Sequence, residues 1–178
     1  SKFILYLIIF VIFFCAGKLV QETTDYFEEN IPKQKVIYQV TKSNKQKVKE
    51  INYFLNGQIK TEISFSDTIK NGPYKKYYES GVLEEEGQYL NNELYGEGFR
   101  YFNNGRLKSQ GIFENGKLSG KGKRYYDNGM AKSEDFFIDG KLSGQQLFYF
   151  KSGELKYIGE YENGKREGKW IFFSELGD

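Results

Sequence analysis

From Val48 to the end of the chain, short stretches alternate aromatic or aliphatic residues with charged ones, and glycines interrupt them. Alternation with a period of two predicts half-buried strands, and the glycines predict the turns between them. The stretch from Gly96 to Ser119 shows the pattern. A strand near Phe99–Phe102 leads into Asn104-Gly105, and a second strand near Leu107–Phe113 leads into Asn115-Gly116-Lys117. The N-terminal run Phe3–Ala16 does not alternate. It is apolar on every side, which predicts a helix in lipid rather than one facing a protein core.

The hairpin pattern repeats. Gly57, Gly81, Gly105, Gly129, Gly153 and Gly177 follow one another at intervals of 24 residues. Gly72, Gly96, Gly120, Gly144 and Gly168 keep the same interval, as do Gly116, Gly140 and Gly164, with Asn92 one repeat earlier. Three series sharing one period mean stacked supersecondary units. Asn-Gly between apolar runs predicts a two-residue turn with positive φ at both positions. That turn would pair Phe102 with Leu107 and Tyr101 with Lys108. One face would then collect Tyr78, Phe102, Tyr126 and Phe150 with Leu83, Leu107, Ala131 and Leu155, together with Tyr89, Phe113, Phe137 and Tyr161. The other face would carry Tyr77, Tyr101, Tyr125 and Tyr149 against Glu84, Lys108, Lys132 and Lys156. Tyrosine alone holds the key position there, as suits a ring whose hydroxyl stays wet. With Tyr53 added, this ladder is the candidate interaction face. A ladder that only props the sheet over lysine stems is the plain alternative.

Composition narrows the function. Aromatic residues make up 18% of the chain and there are 20 glycines, which fits an all-β fold. The chain has no histidine and one cysteine, Cys15. The commonest acid–base group and metal ligand is therefore missing, and intrachain disulfides and cysteine zinc cages are excluded. The acids fall on repeat positions, which argues against carboxylate catalysis, and no phosphate loop, nucleophile elbow or calcium loop occurs. We expect no enzyme and no cofactor. A net charge of +2 gives no basic excess for nucleic acid.

Residues 1–20 read as a transmembrane anchor or a signal segment. A retained single-pass helix is the first reading. A signal cut near Cys15-Ala16-Gly17, releasing a secreted or periplasmic protein, is the second, and acylation of Cys15 the third. Residues 21–47 read as a juxtamembrane linker, with a candidate edge strand at Val36–Val40. Six lysines between Lys33 and Lys49, with no acid among them, suit either anionic lipid or a charged edge strand. Residues 48–178 form the array.

The units resemble the MORN repeat family in its bacterial variant form. Gly120, Tyr125, Tyr126, Gly129 and Gly140 carry the resemblance in one unit. Gly144, Tyr149, Phe150, Gly153, Leu155, Gly159, Tyr161, Gly164 and Lys165 carry it in the next. Asp135 stands where other units have Gly, and Ala131 where others have Leu. The resemblance implies an elongated twisted sheet of antiparallel hairpins used for protein contacts, self-association or attachment near membranes. The expected function is a non-catalytic, membrane-anchored module contacting other subunits of a membrane complex. The alternatives are an antitoxin- or immunity-like protein and a binder of wall glycan or lipid headgroups. Choline- or glucan-binding repeats look superficially similar, but their cages are rich in Trp, and Trp170 stands alone here.

Overall fold

The computed structural model describes residues 17–27 and 31–175. The first strands are β1 (Lys18–Tyr26), β2 (Pro32–Val40), β3 (Lys45–Tyr53), β4 (Ile59–Ser66), β5 (Ile69–Tyr77), β6 (Leu83–Leu90) and β7 (Glu93–Tyr101). They are followed by β8 (Leu107–Glu114), β9 (Lys117–Tyr125), β10 (Ala131–Ile138), β11 (Lys141–Leu142), β12 (Gly144–Tyr149), β13 (Leu155–Glu162) and β14 (Lys165–Phe172). All belong to one antiparallel sheet, with the strands adjacent in chain order and the short β11 pairing only with β10. The expected all-β array is present.

Of the expected N-terminal helix at residues 1–20, residues 1–16 lie outside the described residues, and the described residues contain no helix long and apolar enough to cross a membrane. Residues 18–20 are already strand, and the expected linker at 21–47 carries the rest of β1, all of β2 and the start of β3. Strand β2 pairs with β1 on one side and β3 on the other, so Val36–Val40 is not an edge. Four of the six lysines of the run are paired with acids there. Lys33 pairs with Asp25 at 3.0 Å, Lys45 with Glu22 at 2.8 Å and Lys47 with Glu50 at 2.6 Å, and Lys49 pairs with Glu62. Glu22 and Asp25 of the expected linker are thus counter-charges to lysines of the next two strands, which weakens the case for a basic lipid-facing patch.

Two kinds of turn alternate along the sheet. At Asn115-Gly116 both residues have positive φ, 49° and 75°, and Glu114 pairs with Lys117 across the turn. This is the expected two-residue turn, repeated at Asp139-Gly140 and Asn163-Gly164. At Asn104-Gly105 only Gly105 has positive φ, 79°. The Gly105 N–H donates to Phe102 O at 2.8 Å, and the Phe102 N–H to Arg106 O at 2.8 Å. That is a three-residue turn closed by a bulge. Asn104 keeps ordinary φ and spends its side chain instead: Oδ1 accepts from the Arg106 N–H at 3.0 Å, and Nδ2 donates to Asp127 O of the next unit at 3.2 Å.

The bulge corrects the expected register. Tyr101 pairs with Leu107, not Lys108, and the same holds for Tyr77 with Leu83, Tyr125 with Ala131 and Tyr149 with Leu155. Phe102 lies in the turn, where Lys108 stands 5.6 Å from its ring centroid, and Lys132 and Lys156 cover Tyr126 and Phe150 likewise. Tyr78 and Tyr126 tie units together, donating to Tyr101 O at 2.8 Å and Tyr149 O at 2.7 Å.

A sheet with no second layer buries little. Among the described residues, Val36 and Tyr74 are the only buried large apolar side chains. Cohesion comes from the continuous backbone ladder, from rings lying flat on the sheet, and from contacts between neighbouring units, as in other repeat arrays.

Candidate functional site

Residues paired across strands share a face. One row on the ladder's face runs Lys35, Ile51, Glu62, Lys75, Glu86, Phe99 and on to Gln110, Lys123, Glu134, Leu147 and Ile158. Tyr53, Tyr77, Tyr101, Tyr125 and Tyr149 flank this row, each half-buried. Their partners differ from those expected. The Tyr77 hydroxyl donates to Glu62 at 3.0 Å and that of Tyr101 to Glu86 at 2.7 Å, while Lys35 stands 5.2 Å from the Tyr53 ring centroid. Burial, reinforced by the Glu62 carboxylate, pushes the Tyr77 phenol up to about 12; burial and Glu86 do the same to Tyr101. Burial also raises Tyr149, with Glu134 adding to it. Burial works against the charge of Glu62, but hydrogen bonds from Lys49 and Tyr77 outweigh it and hold the carboxyl below its usual range. Glu84, expected to face the ladder, pairs instead with Lys76 at 2.9 Å.

The opposite face has two regions. Gly98 pairs with Gly111, and Gly111 with Gly122. Side chains from next-door positions lie down into the space these glycines leave. An added Cβ would stand 2.7 Å from the Phe113 ring at Gly98, 2.8 Å from Leu118 at Gly111 and 2.9 Å from the Phe137 ring at Gly122. Beside this floor, on the bulge-turn side, Arg100 pairs with Ser109 and Ser109 with Arg124. The floor and its flanks enclose a groove of 270 Å³.

At the next unit the floor changes character. Asp135 occupies the position opposite Gly122, and Gln146 the one opposite Gly159. Ser133, Gln146 and Asp135 are the most enclosed polar side chains, 0%, 2% and 5% exposed. Arg124 donates from Nε to Ser133 Oγ at 2.8 Å and Asp135 Oδ2 at 3.0 Å, and from Nη2 to Asp135 Oδ1 at 3.1 Å. The Ser133 hydroxyl donates to Asp135 at 2.8 Å, Gln146 Nε2 donates to Asp135, and the Tyr157 hydroxyl donates to Gln146 Oε1 at 3.0 Å. Every buried polar side-chain atom among the described residues has a partner. Beyond this network Phe148 and Tyr157 stack at 4.8 Å, and Trp170 stands 5.3 Å from Tyr157.

Sequence reasoning placed the ladder on one face but missed the glycine floor. The signal was present: Gly87, Gly98, Gly111 and Gly122 interrupt strands away from any turn, where a glycine marks close approach.

A family model described as a MORN repeat variant matches residues 70–91, 94–115 and 142–163. Each match runs from just after one two-residue turn position to the next and contains one bulge-turn hairpin. A model described as the MORN repeat matches residues 110–131. No curated protein matches the chain. Among solved structures, one titled Crystal Structure of TarM is similar with a TM-score of 0.30 and 9% identity, over 80% of this chain and 23% of that one. The chain therefore spans under a quarter of TarM, and a likeness this faint does not bear on function. Repeat matches, the 24-residue glycine period and the hairpin geometry agree, and the chain belongs to the MORN repeat proteins.

Proposed function

We propose that this chain is a non-catalytic interaction module, held at a membrane by its N-terminal apolar segment, that docks onto protein subunits of a membrane-associated complex. MORN repeats commonly serve as protein- or membrane-binding modules. One observation carries the reading toward protein contact. The face bearing Tyr53, Tyr77, Tyr101, Tyr125 and Tyr149 also bears exposed Leu90, Tyr95, Ile112, Phe136, Ile138 and Ile171. Apolar side chains gathered on one side of a single layer, interleaved with tyrosine, suit a partner surface. Four of the six lysines of the run are held in internal ion pairs, which favours protein over lipid as the docking target.

The test is capture of partners from membranes in mild detergent by the full chain. The native chain should co-purify with them in fixed stoichiometry. Tyr101→Ala with Tyr125→Ala should abolish capture, while the melt falls by no more than the loss of one hydrogen bond and partial ring packing, about 1–3 kcal/mol. Unchanged capture with a lowered melt would make the ladder a structural prop.

A further inference from the structure

The groove over Gly98, Gly111 and Gly122 has two unlike walls and two closed ends. From the two-residue-turn side Phe113, Leu118 and Phe137 lean over the glycines and present one apolar side. On the other side stand Arg100, Ser109 and Arg124, in register on adjacent strands. Tyr74 closes one end, lying against Gly87 and donating to Glu85, and the Asp135 network closes the other.

The hydrogen-bonding state of the polar wall fixes what it can accept. Its acids are spent. Glu85 takes Tyr74 on one oxygen and Arg100 on the other, and both oxygens of Asp135 are engaged by Arg124, Ser133 and Gln146. Its donors are not. Among the described residues Arg100 gives only its Nε, at 3.1 Å to Glu85, Arg124 keeps Nη1 free, and Ser109 makes no side-chain bond. More than half of the Arg100 side chain is exposed, at 59%. A wall whose acceptors are occupied, with both terminal nitrogens of Arg100 and Nη1 of Arg124 still open, is matched by carboxylate.

From this we infer that the groove holds an extended segment of a partner protein that crosses the strands. The segment would set carboxylates against Arg100 and Arg124 and aliphatic or aromatic side chains against Phe113 and Phe137. Four strand spacings separate the closed ends, about 19 Å, which is roughly six extended residues. The inference rests on the array being a protein-interaction module, but it places this contact on the face opposite the tyrosine ladder.

The experiment is selection of a random heptapeptide display library on the immobilised full chain, followed by affinity measurement on the selected peptides. Selected sequences should combine Asp or Glu with Leu, Ile or Phe. Arg100→Gln should weaken them by about tenfold, the loss of one charge-assisted hydrogen bond. Ser109→Asp, which fills the open donors from within, should weaken them at least as much. Tyr101→Ala with Tyr125→Ala should leave them unchanged. Peptides that ignore Arg100→Gln and Ser109→Asp but are lost with the tyrosine pair would overturn the groove and leave the interaction module standing. Enrichment of basic peptides, or no enrichment over a blank surface, would also overturn it.

Discussion

At the cross-strand pair Gly98–Gly111 the sheet carries no side chains, and the Phe113 ring and Leu118 fill the space. One and two units further on, at Gly122–Asp135 and Gln146–Gly159, the same positions carry an acid and an amide, and the space is filled by hydrogen bonds. The two regions share strand geometry, turn types and period, so the difference isolates a choice between packing and polarity. In the glycine region stability depends on shape: a ring must find an empty floor. In the Asp135 region it depends on completeness, because a buried carboxylate is costly to desolvate and becomes acceptable only when each oxygen is satisfied.

The strongest way to break this comparison is Arg124→Ala. It removes three hydrogen bonds and leaves Asp135 buried without its counter-charge. We expect a loss of about 3–5 kcal/mol in chemical denaturation. A loss below about 1 kcal/mol would mean that Ser133 and Gln146 suffice alone, and that the network is not held together by charge.

A smaller effect probes the other region. Gly122→Ala sets a Cβ at 2.9 Å from the Phe137 ring and should cost about 1–3 kcal/mol as overpacking. Gly120→Ala, two residues earlier, meets nothing within 4 Å but has φ of 77°, so its cost is backbone strain of about 1–2 kcal/mol. The two are separable by adding Phe137→Leu. That change should relieve Gly122→Ala and leave Gly120→Ala untouched; equal relief of both would show that the floor is not shaped by the ring.

How much of this was legible in the sequence depends on the residue. The period, the hairpins and the two-residue turns follow from glycine spacing and Asn-Gly chemistry. The other turn was misread because Asn104-Gly105 carries the same dipeptide as Asn115-Gly116. A discriminating residue was available: Ser80 and Ser152 take the place of Asn104 in sister units, and serine is a poor occupant of positive φ, so that position could not have required it. The shift of one residue moved Leu107 from Phe102 to Tyr101. The glycine floor shows as strand glycines only once register is known. The Asp135 network was visible as a departure at one position, but its partners Arg124, Ser133 and Gln146 come together only through pairing across three strands.

The least expected change concerns the ladder face and sharpens the contrast between units. Tyr77 and Tyr101 are bound to carboxylates, whereas Gln110 takes the corresponding place beside Tyr125. Both phenols titrate near 12 when folded, above the ordinary value of 10.0. Their contribution to stability is therefore complete below pH 10 and lost as pH rises from about 10 to 12. Melts across that window should fall less steeply for Tyr77→Phe with Tyr101→Phe than for the native chain, and unchanged for Tyr125→Phe. Identical slopes for all three would mean that the hydroxyl–carboxylate bonds do not persist in solution.

Strands that lie across the long axis also give the sheet a definite response to pulling. Tension applied between the ends of the array acts perpendicular to the strands, so it opens the backbone ladder one bond at a time rather than shearing all the bonds of a pair together. The clasps that resist are the ones linking turn to turn, Asn104 to Asp127 and Tyr78 to Tyr101. Each unit of 24 residues released would lengthen the chain by roughly 70 Å, from about 3.4 Å per extended residue less the ~10 Å that two strands already span. Such a sheet would lengthen one unit at a time.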